Sequence, residues 1–130
     1  MSSDPARGGD IRHDGEVRRE RPRLLSSNNL SGISVFGRSG EKIGTIHSFM
    51  IDRLNGRVAL AVMSLGGFLG MGGSYHPLPW PLLRHDDSRD GFVIDVDDAV
   101  LKGGPTFKGG AEPDFDDTYI DRVWNYYGVR

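Results

Sequence analysis

Three histidines, His47, His76 and His85, and the carboxylates Asp86, Asp87, Asp90, Asp95, Asp97 and Asp98 are the side chains best suited to chemistry in this chain. A metal centre or an acid–base pair would need imidazole and carboxylate groups to converge. His76 and the His85-Asp86 pair flank a proline-rich corner at residues 77–81, so a metal-binding sensor or enzyme using His76 and His85 is one reading. The spacing does not favour it. There is no His-x-x-x-His and no paired-ligand pattern, and side chains of this kind in polar turns are accounted for by solvation. The absence of cysteine removes thiolate zinc sites, disulfides and a cysteine nucleophile. No Ser-His-Asp arrangement is visible. The sequence is therefore read as holding no catalytic residue, no metal site and no cofactor site.

A second candidate is the run Gly66-Gly67-Phe68-Leu69-Gly70-Met71-Gly72-Gly73. A phosphate-binding loop needs glycines followed by a helix whose N-terminus and Lys or Ser/Thr meet the anion. Here Ser74-Tyr75-His76-Pro77 follows, which favours extended chain and supplies no lysine. What the loop does carry is Phe68, Leu69 and Met71 on a permissive backbone. Apolar tips need cover, either by folding back over the domain or by contacting a partner or a second copy of the chain.

The elements that must position these residues lie between residues 33 and 96, a series of short strands joined by turns. Ile33 to Phe36 reads as the first. Lys42 to Asp52 is rich in β-branched and aromatic residues, but the consecutive Phe49, Met50 and Ile51 call for two covered faces or a bulge. Asn55-Gly56 supplies a hairpin turn. Arg57 to Leu65 returns with two apolar faces: Val58, Leu60 and Val62 on one, Ala59, Ala61, Met63 and Leu65 on the other. Tyr75 to Leu78 is a short strand. Pro77, Pro79 and Pro81 restrict it to an edge or exit path, with Trp80 as a corner anchor. Leu82-Leu83 and residues 92–96 complete the strands, and residues 99–102 make a helical turn capped by Asp97 or Asp98 and ended by Gly103-Gly104-Pro105.

Outside this stretch, residues 1–23 mix six arginines with five acidic residues and contain no aromatic residue, a composition that predicts disorder. Residues 106–113 read as a linker. Residues 114–128 predict an amphipathic helix with Asp114 at the N-cap. Its stripe of Phe115, Tyr119, Ile120, Val123, Trp124 and Tyr127 must dock, on its own strands or on a partner, because a helix of about 14 residues is marginal alone.

The whole chain has 130 residues, 37% hydrophobic and 26% charged, with a formal net charge of -2. This suits a single small globular domain with trimmings. The charge balance argues against direct nucleic-acid binding, whose footprint is a basic face. No apolar run reaches the roughly 18 residues of a membrane span, and no secretory h-region is visible. The expected location is cytoplasmic.

Taken in order, Gly40-Glu41-Lys42-Ile43-Gly44, the strand ending in Asp52, Gly56-Arg57-Val58, the Gly66–Gly73 loop, Pro79-Trp80 with Leu82-Leu83, and Leu101-Lys102-Gly103-Gly104-Pro105 resemble a PRC-barrel domain. That small β-barrel occurs in the H subunit of photosynthetic reaction centres, in a ribosome-maturation factor and in many stand-alone bacterial and archaeal proteins. The resemblance covers residues 24–105. It implies an all-β barrel of about six short strands acting as a non-enzymatic interaction or assembly module. The reaction-centre subunit's membrane helix is missing here, and residues 1–23 are too short for the maturation factor's second domain. A stand-alone barrel is the better match. A ribosome or RNA-maturation accessory, or a photosynthetic-complex-associated factor, is the alternative. The expectation is a self-associating homodimer with an unnamed protein partner, whose contacts involve Phe68, Leu69, Met71, Tyr119, Val123, Trp124 and Tyr127.

Overall fold

The computed structural model describes residues 23–65 and 73–129. The expectations for a disordered tail and for the glycine-rich loop with Phe68, Leu69 and Met71 fall on residues 1–22 and 66–72, outside the described residues.

The chain forms β1 (Ser34–Phe36), β2 (Lys42–Asp52), β3 (Arg57–Leu65), β4 (Ser74–Pro79), β5 (Leu83–Asp86) and β6 (Gly91–Ile94). A short helix α1 (Asp98–Lys102), a two-residue strand β7 (Phe107–Lys108) and helix α2 (Asp117–Tyr126) follow. The strands make one seven-stranded sheet in the order β5-β6-β1-β2-β3-β4-β7. All neighbours are antiparallel except β1 and β6, which run parallel. That pair joins the β5–β6 hairpin to the rest of the sheet. It is close: a β-carbon on Gly91 would lie 2.5 Å from the Ser34 carbonyl oxygen.

The long β2–β3 hairpin is the backbone of the fold. Gly56 takes a positive φ of 76° at its turn, the conformation that glycine adopts without steric cost. Register shifts fall between Ile46 and Ser48 and between Met50 and Ile51. The second explains how three consecutive apolar residues fit one strand, and both bend and twist the hairpin. The bend has a visible result. Inward side chains from six strands and α1 meet in one cluster: Val35, Ile46, Ala61, Met63, Leu78, Leu83, Phe92, Ile94 and Leu101. A flat sheet of this width could not bring them together. The molecule is thus a small all-β barrel with a C-terminal helix.

The prolines of β4 sit where their missing N–H groups cost least. Pro77 and Pro79 pair with Val62 and Leu60 of β3, whereas β7 reaches only Ser74 and Tyr75. Trp80 begins a single 3-10 turn at the corner and packs edge-on against Phe49 and Phe92, with ring centres 5.2 and 5.7 Å away. Phe107 and Lys108 lie within the stretch whose composition reads as linker. Their short pairing with β4 is a tertiary effect, with the Phe107 ring 5.5 Å from that of Tyr75. The N-cap of α2 is Asp116 rather than the expected Asp114, and its carboxylate accepts the Tyr119 N–H at 2.9 Å. The tighter fit of Asp116 follows from its place three residues before Tyr119, the usual capping geometry.

Candidate functional site

The two faces of β3 are used differently. Ala61 and Met63 point into the main core. Leu60 points outward and forms a separate cluster with Tyr119 and Val123 of α2, ringed by Met50, Ala59, Phe115, Ile120, Trp124 and Tyr127. The aromatic stripe of α2 is therefore docked on its own barrel. Val123 is fully buried and Tyr119 is 8% exposed. The Trp124 indole N–H donates to the Ala59 carbonyl at 3.2 Å, and the Tyr126 hydroxyl donates to the Val100 carbonyl at 2.6 Å.

The tyrosines of α2 and its C-cap Tyr127 are unevenly satisfied. The Tyr127 hydroxyl is sealed from solvent with no hydrogen-bond partner among the described residues. Burial pushes its phenol far above the ordinary tyrosine range, and the neighbouring phenols of Tyr126 and Tyr119 add to the effect. The Tyr119 hydroxyl also lacks a partner at hydrogen-bonding geometry. Burial raises its pKa too, while the Arg122 guanidinium, 5.1 Å from the ring centre, opposes the rise.

A line of rings extends from this cluster over the outer face of the sheet. Phe115 stands against Tyr119 at 5.5 Å and against Phe107 at 5.8 Å, and Tyr75 continues the line to His47 at 4.5 Å. His47 reaches Tyr75 across β3 because the intervening residue there is the small Ser64, which pairs with Thr45 and Tyr75 and shares a 3.0 Å hydrogen bond with the Thr45 hydroxyl. His47 occupies the extra position of the first register shift in β2. No periodicity in the sequence marks this line, since it is made by a bulge and by strands β2, β4 and β7, which do not follow one another in the chain.

The candidate chemical residues are dispersed. His76 is 3% exposed, on the inward face opposite Met63. Burial lowers its pKa below the ordinary histidine value, the Leu101 backbone pulling weakly the other way, and its Nδ1 has no partner among the described residues. His85 lies on β5 at the surface, 3.3 Å from Asp87, with its ring edge-on to Phe92. His76 and His85 thus belong to different surroundings, one interior and one solvated. Among the described residues no three side chains of metal-ligating type come together. Arg38 spans Asp95 and Asp97, and Arg89 lies 3.6 Å from Asp86 and over the Phe36 ring. The acidic turn residues are therefore engaged locally.

Two exposed features complete the surface. A hollow of about 530 Å³ is bounded by Ile33, Ser34, His85, Arg89, Asp90 and Phe92. At the tip of the β2–β3 hairpin Leu54 is 96% exposed and Ile51 56%. The tip is held in shape: the Leu54 N–H donates to Asp52 Oδ1 and the Arg57 N–H to Asn55 Oδ1, both at 2.8 Å. Asn55-Gly56 marks the turn in the sequence, but nothing in its local pattern signals that the turn thrusts Leu54 outward. Among the described residues no helix is long and apolar enough to cross a membrane.

The family model of the PRC-barrel domain matches residues 22–101. No curated protein matches the chain.

Proposed function

The chain belongs to the PRC-barrel family, and from that premise we propose that it works as a non-enzymatic protein-interaction and assembly module, self-associating as a homodimer in the cytoplasm. The observation that carries the reading is an exposed apolar pair, Leu54 and Ile51, on a hairpin tip held by side-chain hydrogen bonds. A preorganised apolar tip flanked by Arg53 and Arg57 suits a protein contact better than solvent. Phe68, Leu69 and Met71 in the segment between β3 and β4 form the second part of the proposed contact. Tyr119, Val123, Trp124 and Tyr127 contribute through the placement of α2, since the first two are buried against Leu60. The dispersal of His76, His85 and the acidic turns supports a binding role over a metal-dependent one.

The test combines light scattering with capture from native lysate, using the wild type and a Phe68→Asp, Met71→Asp double variant checked for folding by circular dichroism. A dimer or a captured protein that is lost in the variant supports the module. A monomer at high concentration that captures nothing specific in either form removes it. Stoichiometric metal in the purified protein, lost on His76→Ala and His85→Ala, would replace it with the metal-dependent reading.

A further inference from the structure

Helix α2 is attached to the barrel in an unusual way. Among the described residues no backbone–backbone bond joins it to the sheet, because β3 is paired on both sides by β2 and β4, and the Trp124 indole alone reaches a strand carbonyl, that of Ala59. Its buried residues Tyr119 and Val123 form their own cluster with Leu60, and Tyr127, just past its end, touches both that cluster and the main core. At ten residues it is too short to be stable as an isolated helix, so leaving the barrel and losing helicity are one event. Among the described residues, its hydrogen bonds to the barrel include the Trp124–Ala59 and Tyr126–Val100 bonds.

The contact also works against itself. Docking seals the Tyr127 hydroxyl from water without giving it a partner among the described residues. A buried, unpaired hydroxyl forfeits its hydration, which opposes docking. Release restores that hydration. The connection to the barrel permits release as well. Residues 109–112 are exposed, and Gly110 follows Gly109 at a positive φ of 86°. Rotation there would leave the β7–β4 pairing untouched, because that pairing ends at Lys108.

From these relationships we infer that α2 is a releasable latch: it opens as a unit about Gly109-Gly110 while the sheet stays folded, uncovering Leu60, Met50 and Ala59 on the outer face. The barrel then has two native states, one with that face covered and one with it open. The inference goes beyond the assembly reading and does not depend on it, since the two states exist in a monomer or a dimer. Tyr127 sets the balance between them, and Val123 supplies the buried apolar contact that holds the covered state.

Native-state hydrogen exchange on the full chain tests this. The amides of residues 120–126 exchange through an opening that is insensitive to low denaturant, with less protection than the amides of β2 and β3. Tyr127→Phe, which removes the unpaired hydroxyl and keeps the ring, raises the protection of α2 roughly tenfold without lowering that of the sheet. Val123→Ala lowers α2 protection roughly tenfold and leaves the β2–β3 amides protected. Equal protection and equal denaturant dependence in α2 and the sheet would overturn the latch, as would parallel loss of both in Val123→Ala. A fall in α2 protection in Tyr127→Phe would also overturn it, by showing that the hydroxyl makes a bond. Light scattering on the same samples separates the two readings: a dimer whose α2 exchanges only with the sheet keeps the assembly module and removes the latch, and a monomer with local α2 opening does the reverse.

Discussion

Tyr127 and Gly104 share a space that admits no side chain at residue 104. A β-carbon on Gly104 would lie 2.7 Å from the Tyr127 hydroxyl oxygen and 2.8 Å from Cε2 of Tyr126. The chain between α1 and β7 must therefore be bare where the end of α2 crosses it. Gly103 has the same neighbour, the Tyr126 hydroxyl, at 3.2 Å from its β-carbon position. The two glycines act as the seat of the helix as well as the end of α1.

Gly104→Ala is accordingly expected to destabilise the protein by about 1–3 kcal/mol through overpacking, with the Tyr126 and Tyr127 rings displaced. Thermal unfolding and near-ultraviolet circular dichroism give the size and the place of the effect. Combined with Tyr127→Ala the cost should fall well short of the sum, because the two residues touch.

Gly44→Ala should be worse. The atom its β-carbon would strike is the backbone carbonyl oxygen of Ser64 on β3, with Met63 side-chain atoms at 3.0–3.1 Å behind it. A strand paired on both sides cannot move aside as a tyrosine can. A loss of about 3 kcal/mol or more is expected, lowering Tm by roughly 10–20 °C in a domain of this size. An unchanged Tm would mean that the strands separate more readily than their pairing implies.

Stability should depend on His76 in mildly acidic solution. Burial lowers its folded pKa below the ordinary 6.5. The unfolded chain then takes up the proton at a higher pH than the folded chain does. The stability tied to neutral His76 is complete above about pH 6.5 and is lost as pH falls through the lowered folded value. Urea unfolding at pH 7.5 and pH 5 should show a lower midpoint at pH 5. His76→Phe should shrink that difference whatever its own stability.

Leu60→Ala tests the outer face of β3. Leu60 is fully buried between the strand and α2, so the truncation should cost about 2–5 kcal/mol. Because Trp124 rings the same cluster, its fluorescence should shift to the red as α2 loosens. A blue or unchanged emission would place Trp124 in surroundings independent of Leu60.

Much of the architecture was legible in the amino-acid sequence because it is local. Strands β2 and β3, the turn at Asn55-Gly56, the corner at Trp80 and an amphipathic C-terminal helix follow from side-chain alternation, turn chemistry and proline's missing donor, while Phe49-Met50-Ile51 left a bulge and two covered faces as alternatives between which the structure chose the bulge. The ordered series of glycine and proline landmarks was enough to indicate the barrel family. Tertiary structure decided what depends on residues far apart in the chain. It paired β1 with β6 in parallel and drew Phe107 and Lys108 into the sheet, each through backbone bonds that have no local signature. It put His76 in the interior and His85 at the surface, although both lie beside the same proline corner, because alternation along β4 turns His76 inward. It also settled what the second apolar face of β3 is for. Composition required that face and the stripe of α2 to be covered, but a hydrophobic surface is non-directional and names no partner. Only the folded chain, bringing Val123 onto Leu60 and Tyr127 over Gly104, made them cover each other.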